Sequence, residues 1–172
     1  MKALHRTLLT TPYGDMVALA SATGLCALEF VKEKRQDLLF RRIGRFFPGY
    51  DIVEQTDEVI EKTRRWLEDY FSGKFNRLQT PPLDLQGSAF ERAVWQAMLA
   101  IPPGKTASYR EIALKLGKPG GSRAVGGASG RNPVSLIVPC HRVIGQDGSL
   151  TGYGGGLVVK AALLTHERAG KH

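Results

Sequence analysis

Between residues 57 and 72, Val59, Ile60, Thr63, Trp66, Leu67, Tyr70 and Phe71 recur at spacings of three and four. That is the period of a helix with one buried face, and Gly73 stands where a C-terminal cap belongs. Upstream the pattern changes. Thr11-Pro12-Tyr13-Gly14 and Ser21-Ala22-Thr23-Gly24 are turn signals around the runs Met16–Ala20 and Leu25–Val31, which predict two strands of a hairpin or meander. Arg35–Phe47 is mixed and basic and predicts a short helix ending before Pro48-Gly49. Lys74–Gly87 is polar and contains prolines, and it is taken as the linker between residues 1–80, an N-terminal α/β domain, and residues 81–172.

Helix signals dominate the second part. Ser88-Ala89-Phe90-Glu91 and Ser108-Tyr109-Arg110-Glu111 are both capping boxes, in which serine and glutamate each bond the other's backbone N–H. The first opens a helix with Phe90, Val94, Ala97 and Met98 on one face, stopped by Pro102-Pro103-Gly104. The second places Ile112, Ala113 and Leu116 together before Gly117, and Lys118-Pro119-Gly120-Gly121 then turns the chain into Ser122–Gly130. Two short helices joined by such a turn predict a helix-turn-helix. The segment 122–130 is unusual for a helix, because the adjacent Gly126 and Gly127 cost about 1 kcal/mol each in a helix interior. It reads either as a loop or tightly packed helix, or as a helix stripped of bulk for a close approach, with Arg123 projecting. Ser135–Val138, short, apolar and branched, predicts a buried strand ended by Pro139.

Composition narrows the class. The chain has 172 residues, ordinary apolar and charged content, and two cysteines, Cys26 and Cys140. Two distant thiols exclude a disulfide framework and a cysteine-rich zinc site, and favour a reducing compartment. No apolar run approaches the ~18 residues of a membrane span, nor does Met1–Arg6 suit a signal peptide. A cytoplasmic protein with no membrane partner is therefore expected. Net charge is +8 and uneven: +4 over residues 1–50, −3 over residues 51–100 and +7 over residues 101–172. This fits either a solvated basic surface or a C-terminal part that faces a polyanion such as nucleic acid.

Candidate chemistry lies in Asn132-Pro133-Val134-Ser135-Leu136-Ile137-Val138-Pro139-Cys140-His141-Arg142-Val143-Ile144. Taken alone, a cysteine is more often a small buried hydrophobe than a nucleophile. Beside His141 and Arg142 in a basic segment, Cys140 also suits an activated thiol.

The whole string resembles the signature of the O6-alkylguanine-DNA alkyltransferases, carried by Pro139-Cys140-His141-Arg142-Val143. Around it, Ser108-Tyr109, Arg123-Ala124-Val125-Gly126, Asn132-Pro133, Gly152-Tyr153 with three glycines, and Leu163-Leu164-Thr165-His166-Glu167 follow the family's order. The likeness is strong over residues 88–168 and looser before them, and the length resembles a stand-alone member. It implies an RNase H-like N-terminal α/β domain. A mainly α C-terminal domain is to follow, with a helix-turn-helix and a short active-site strand.

The resemblance also implies a function: irreversible, single-use transfer of an alkyl group from guanine O6, with O4-alkylthymine left open, onto Cys140. A thiolate is the strongest soft nucleophile among side chains. Adjacent side chains on an extended backbone point apart, so His141 is expected to act through a water, oriented by Glu167. Tyr109 matches the donor to the leaving base, and Asn132 the bridge between DNA-binding segment and active-site strand. Ser122, Arg123, Ala124, Gly126, Gly127 and Ser129 match a helix laid in the minor groove of double-stranded DNA, Arg123 filling the place of a flipped base. Val143, Tyr153 and Gly154 match the pocket. Gly154 departs from the serine or alanine of many relatives, and Ala161-Ala162 from a Glu-Trp pair. No cofactor and no metal are implied, and a monomer is expected, with cooperativity on DNA left open. Three rivals stand beside this reading: a protein that binds alkylated DNA and flags it without repair, a cysteine hydrolase, and a sequence-reading regulator.

Overall fold

The computed structural model describes residues 2–172; Met1, part of the N-terminal reading above, lies outside them. The chain forms two units. The first comprises residues 1–86 with Pro133–Ser135, the second residues 87–132 with 136–172.

In the first unit four strands, β1 (Ala3–Leu9), β2 (Met16–Ala20), β3 (Leu25–Phe30) and β4 (Asp51–Glu54), form a sheet of order β3-β2-β1-β4. β1–β2 and β2–β3 are antiparallel and β1–β4 is parallel. Every residue of β2 and β3 is buried, as expected of strands covered on both faces. Helix α1 (Glu33–Phe46) sets Leu39 and Ile43, with Phe47, into a cluster with Leu4, Val17, Leu19, Cys26 and Ala27. Helix α2 (Glu58–Phe71) starts at Asp57, whose carboxylate accepts from the Ile60 N–H at 2.9 Å. It buries Ile60, Thr63, Trp66, Leu67 and Tyr70 and stops as Gly73 takes a φ of +73°.

The stretch expected as a linker is built into this unit. Its backbone runs beside β3, where Leu25 N–H donates to Pro82 O at 2.8 Å and Asp84 N–H to Leu25 O at 2.9 Å. Only glycine fits opposite it, since a Cβ on Gly24 would lie 2.7 Å from Pro82 O. Prolines that cannot continue a sheet thus cover its margin. Pro133–Ser135 is held on the same strand: Leu28 N–H donates to Pro133 O at 2.9 Å and Ser135 N–H to Leu28 O at 2.8 Å.

The second unit holds helices α3 (Ala89–Leu99), α4 (Tyr109–Lys115), α5 (Ser122–Gly130) and α6 (Leu157–Ala169). Both capping boxes form, at Ser88–Glu91 and Ser108–Glu111. Gly117 (φ +68°) and Gly120 (φ +79°) shape the turn between α4 and α5. Trp95 of α3, fully buried, donates its indole N–H to Ala128 O of α5 at 2.9 Å. The short strand of this unit is β6 (Val143–Ile144), paired in parallel with β5 (Ala107–Ser108). It does not lie at 135–138, where the sequence predicts it. Those residues form buried turns in which Leu136 takes a φ of +70°, a backbone no strand accepts. Periodicity cannot separate a short apolar run in a strand from one in a buried turn. Among the described residues no helix is long and apolar enough to cross a membrane.

Candidate active site

Pro139 ends the buried turns, and Cys140, His141 and Arg142 form a single 3-10 turn leading into β6. The nucleophile candidate thus opens a helical turn rather than ending a strand. Adjacent side chains still diverge there, by about 120° at three residues per turn. Cys140 is 8% exposed, while His141 and Glu167 have no exposed surface.

Beneath Cys140 lies a buried ionic cluster. His141 Nε2 is 2.6 Å from Glu167 Oε1. An ionised carboxylate only accepts, so Nε2 carries the proton and the neutral ring offers the lone pair of Nδ1. Arg142 grips the same carboxylate, its Nε donating at 3.1 and 3.0 Å and its Nη2 at 2.9 Å, while Nη1 donates to Ile101 O at 2.7 Å. The Gly104 N–H adds a bond to Oε2 at 3.2 Å. Burial would raise the Glu167 carboxyl, but His141 and the Arg142 guanidinium hold it well below the usual carboxylate range. Burial pushes His141 down; the Glu167 bond opposes this, and the charges of Arg142 and Lys160 add to it. We take Glu167 as ionised and His141 as neutral, the guanidinium being the permanent counter-charge.

The other residues singled out in the sequence are distributed as follows. Tyr109, the first residue of α4, donates its hydroxyl to Thr151 O at 3.0 Å. Asn132, 2% exposed, donates to Val138 O at 2.8 Å and so joins the end of α5 to the segment before Cys140. Val143 is fully buried in β6, and the Tyr153 ring meets His141 edge-on at 6.4 Å. On α5, Ser129 falls one turn after Val125 and is buried with it and Ala128. Arg123 and Ala124 are exposed, and Ser122, Gly126 and Gly127 are half-buried. The glycines there are not demanded from inside. A Cβ on Gly126 would meet the Tyr109 ring at 3.9 Å, and one on Gly127 would meet the flexible end of Arg131 at 3.2 Å.

Two residues of the cluster were not singled out by sequence. Arg142, valued there only as a nearby charge, is the clamp on Glu167. Lys160 is buried in α6 with its ammonium on the carbonyls of Val143 at 2.6 Å and Thr151 at 2.9 Å. Their partners are remote in sequence or belong to the backbone, so no spacing announces them; a lysine amid the apolar run of α6 was the available signal. Among the described residues no group of three His, Cys, Asp or Glu side chains is placed to hold a metal ion.

A helix-turn-helix joined to a buried thiol, with a buried histidine–glutamate pair next to it in the chain, describes a class: nucleic-acid-binding proteins with a candidate nucleophile of their own. The comparisons with known proteins make it specific. The family model described as 6-O-methylguanine DNA methyltransferase, ribonuclease-like domain, matches residues 4–85. Its DNA-binding-domain counterpart matches residues 89–169. The chain is 52% identical over 162 residues to the methylated-DNA–protein-cysteine methyltransferase of Salmonella typhimurium, covering 92% of each. It is 37% identical over 169 residues to that of Haemophilus influenzae, covering 98% of this chain and 88% of that one. A crystal structure of Mycobacterium tuberculosis OGT in complex with DNA superposes with a TM-score of 0.80 at 36% identity, covering 96% and 93% of the two chains. The chain belongs to the 6-O-methylguanine DNA methyltransferase family.

Proposed function

We propose that this protein repairs DNA by moving a methyl or larger alkyl group from guanine O6 onto Cys140, once per molecule. The observation that carries this reading is the buried His141–Glu167 pair, locked by Arg142, whose histidine directly follows Cys140 in one turn while the carboxylate comes from α6. A neutral imidazole fixed by an ionised carboxylate is a base poised for a thiol. The Cys140 proton passes through a water to His141, whose charge Glu167 stabilises. The thiolate then attacks the alkyl carbon in line, the carbon–sulfur bond forms and the carbon–O6 bond breaks, its electron pair staying with the guanine. The Tyr109 hydroxyl turns from Thr151 to donate a proton to the departing base and is reprotonated from His141 or solvent. Asn132 holds the thiol's approach to the end of α5, and the product thioether is stable, so no turnover follows.

DNA lies along the outward face of α5, in the minor groove, and the target base is flipped out of the stack. Arg123 takes its place. The small residues Ser122, Ala124, Gly126 and Gly127 let the backbone approach closely, and Tyr153 and Gly154 close over the base beside Val143. The protein works as a cytoplasmic monomer on this reading.

Intact mass after mixing with a duplex containing one O6-methylguanine tests the assignment. Wild type gains one methyl, mapped to Cys140, and Cys140→Ser gains none. Tight lesion binding without a mass gain would instead make it a damage-flagging protein. Gly126→Ala tests the interface. Helix propensity favours alanine by ~1 kcal/mol, so thermal stability holds or rises while affinity for duplex DNA falls.

A further inference from the structure

In the first unit a cleft of about 740 Å³ lies between α2 and residues 77–82. Lys62, Arg65, Trp66 and Asp69 line it from α2, and their spacing of three and four sets them on one face of that helix. Both walls are fixed. Trp66 stacks on Tyr70 with ring centres 5.0 Å apart, and Tyr70 meets the ring of Phe75, two residues before Arg77, at 5.3 Å. Across the cleft Pro82 is pinned to β3, its carbonyl accepting from the Leu25 N–H at 2.8 Å. Such a preformed space falls in the range of small-molecule sites, roughly 300–1,000 Å³.

We propose that this cleft binds a small phosphate ester, of nucleotide size, between Arg65 and Arg77. The charges carry the argument. Lys62, Arg65 and Arg77 outnumber Asp69 around the cleft. Lys62 is answered by Glu58 at 3.1 Å, and the neighbouring Arg64 by Glu61 at 3.3 Å. Among the described residues the side chains of Arg65 and Arg77 have no hydrogen-bond or ion-pair partner, although Asp69 stands one turn from Arg65. Two uncommitted guanidiniums on facing walls suit the oxygens of a phosphate, which arginine's planar, permanently charged group binds through paired hydrogen bonds. Gln79 and Thr80 add neutral donors and acceptors beside Arg77. The wider surroundings select a small ligand over a nucleic-acid strand. α2 also carries Glu58, Glu61 and Glu68, and residues 51–100 have a net charge of −3. The positive potential is thus confined to the cleft, whereas a strand needs a basic surface along its length.

The chain has two tryptophans, Trp66 in the cleft wall and Trp95, fully buried with its indole N–H on Ala128 O. They serve as reporter and control in ¹H–¹⁵N spectra of the full chain titrated with ADP at constant ionic strength. The Trp66 indole signal should shift and saturate while that of Trp95 stays in place. Arg65→Gln and Arg77→Gln, both at exposed positions, should each weaken ADP about ten-fold, the loss of a hydrogen bond to a charged group. Arg41→Gln, which removes an exposed charge from α1, should leave the affinity unchanged. A Trp66 signal that stays still or shifts without saturating would overturn the proposal, as would equal weakening in all three variants. Tighter binding of a short single-stranded oligonucleotide, lost in the same two cleft variants, would also overturn it and make the cleft a nucleic-acid contact. Transfer to Cys140 plays no part in the readout, so a failure of the proposed function leaves this test intact.

Discussion

Cys26 and Cys140 are the same side chain, both buried, in opposite company. Cys26 lies in β3 among Leu4, Leu19, Leu39, Ile43 and Phe47, its Sγ donating to Leu19 O at 3.2 Å. Burial first, then the negative charge of Asp84, push its thiol up to about 12. Cys140 opens a turn whose next two residues are a histidine and an arginine. Burial by itself therefore silences a thiol. What separates the two sites is whether burial brings cations and a base with it.

The largest expected effect breaks the comparison directly. At pH 8 a small electrophile should label Cys140 and react with Cys26 about a thousand-fold more slowly, since only the thiolate attacks; peptide mass mapping measures both. Removing the carboxylate beneath Cys140 comes next. Glu167→Ala leaves the Arg142 guanidinium buried without its partner and should cost about 3–5 kcal/mol, read from urea unfolding, along with most of the transfer rate. A third test uses acid. His141 titrates below its ordinary 6.5 in the fold, so protonation favours the unfolded chain. Its contribution is fully present above pH 6.5 and is lost as pH falls towards the folded value. The depressed Glu167 adds a second loss only below its ordinary 4.5. Melts from pH 7.5 to 5 should therefore show stability falling by up to about 1.4 kcal/mol per pH unit, and His141→Asn should flatten that slope. The smallest effect belongs to Cys26→Ala. It should cost about 1 kcal/mol and leave methyl uptake by Cys140 unchanged.

Helices were legible where caps and periodicity agreed. Ser88 and Ser108 cap the helices expected from them, the periodicity over 57–72 forms α2, and β2 and β3 each follow the turn that announced them. β4 was not singled out, because it pairs in parallel with β1 across more than forty residues and Asp51–Glu54 is mostly exposed. Nothing local marks such an edge strand. Ser135–Val138 misled for the opposite reason: its apolar residues are buried, but by turns. The chemistry at Cys140 and His141 was legible through a specific string. The ion that fixes it was not, since Arg142 finds Glu167 25 residues away and Lys160 finds carbonyls.

The three residues Pro133–Ser135, seated on β3, set an order of events in synthesis. Ser135 and its β3 partner Glu29 are 106 residues apart, and contacts of such long range form slowly because a large loop must close first. Residues 82–84 cover β3 at Leu25 early, but the sheet margin at Leu28 is completed only when the chain has grown past residue 135. The turn bearing Cys140 comes next, and Glu167, on which His141 depends, follows 26 residues after that histidine. The buried pair behind Cys140 is thus assembled only after the sheet of the first unit has been completed.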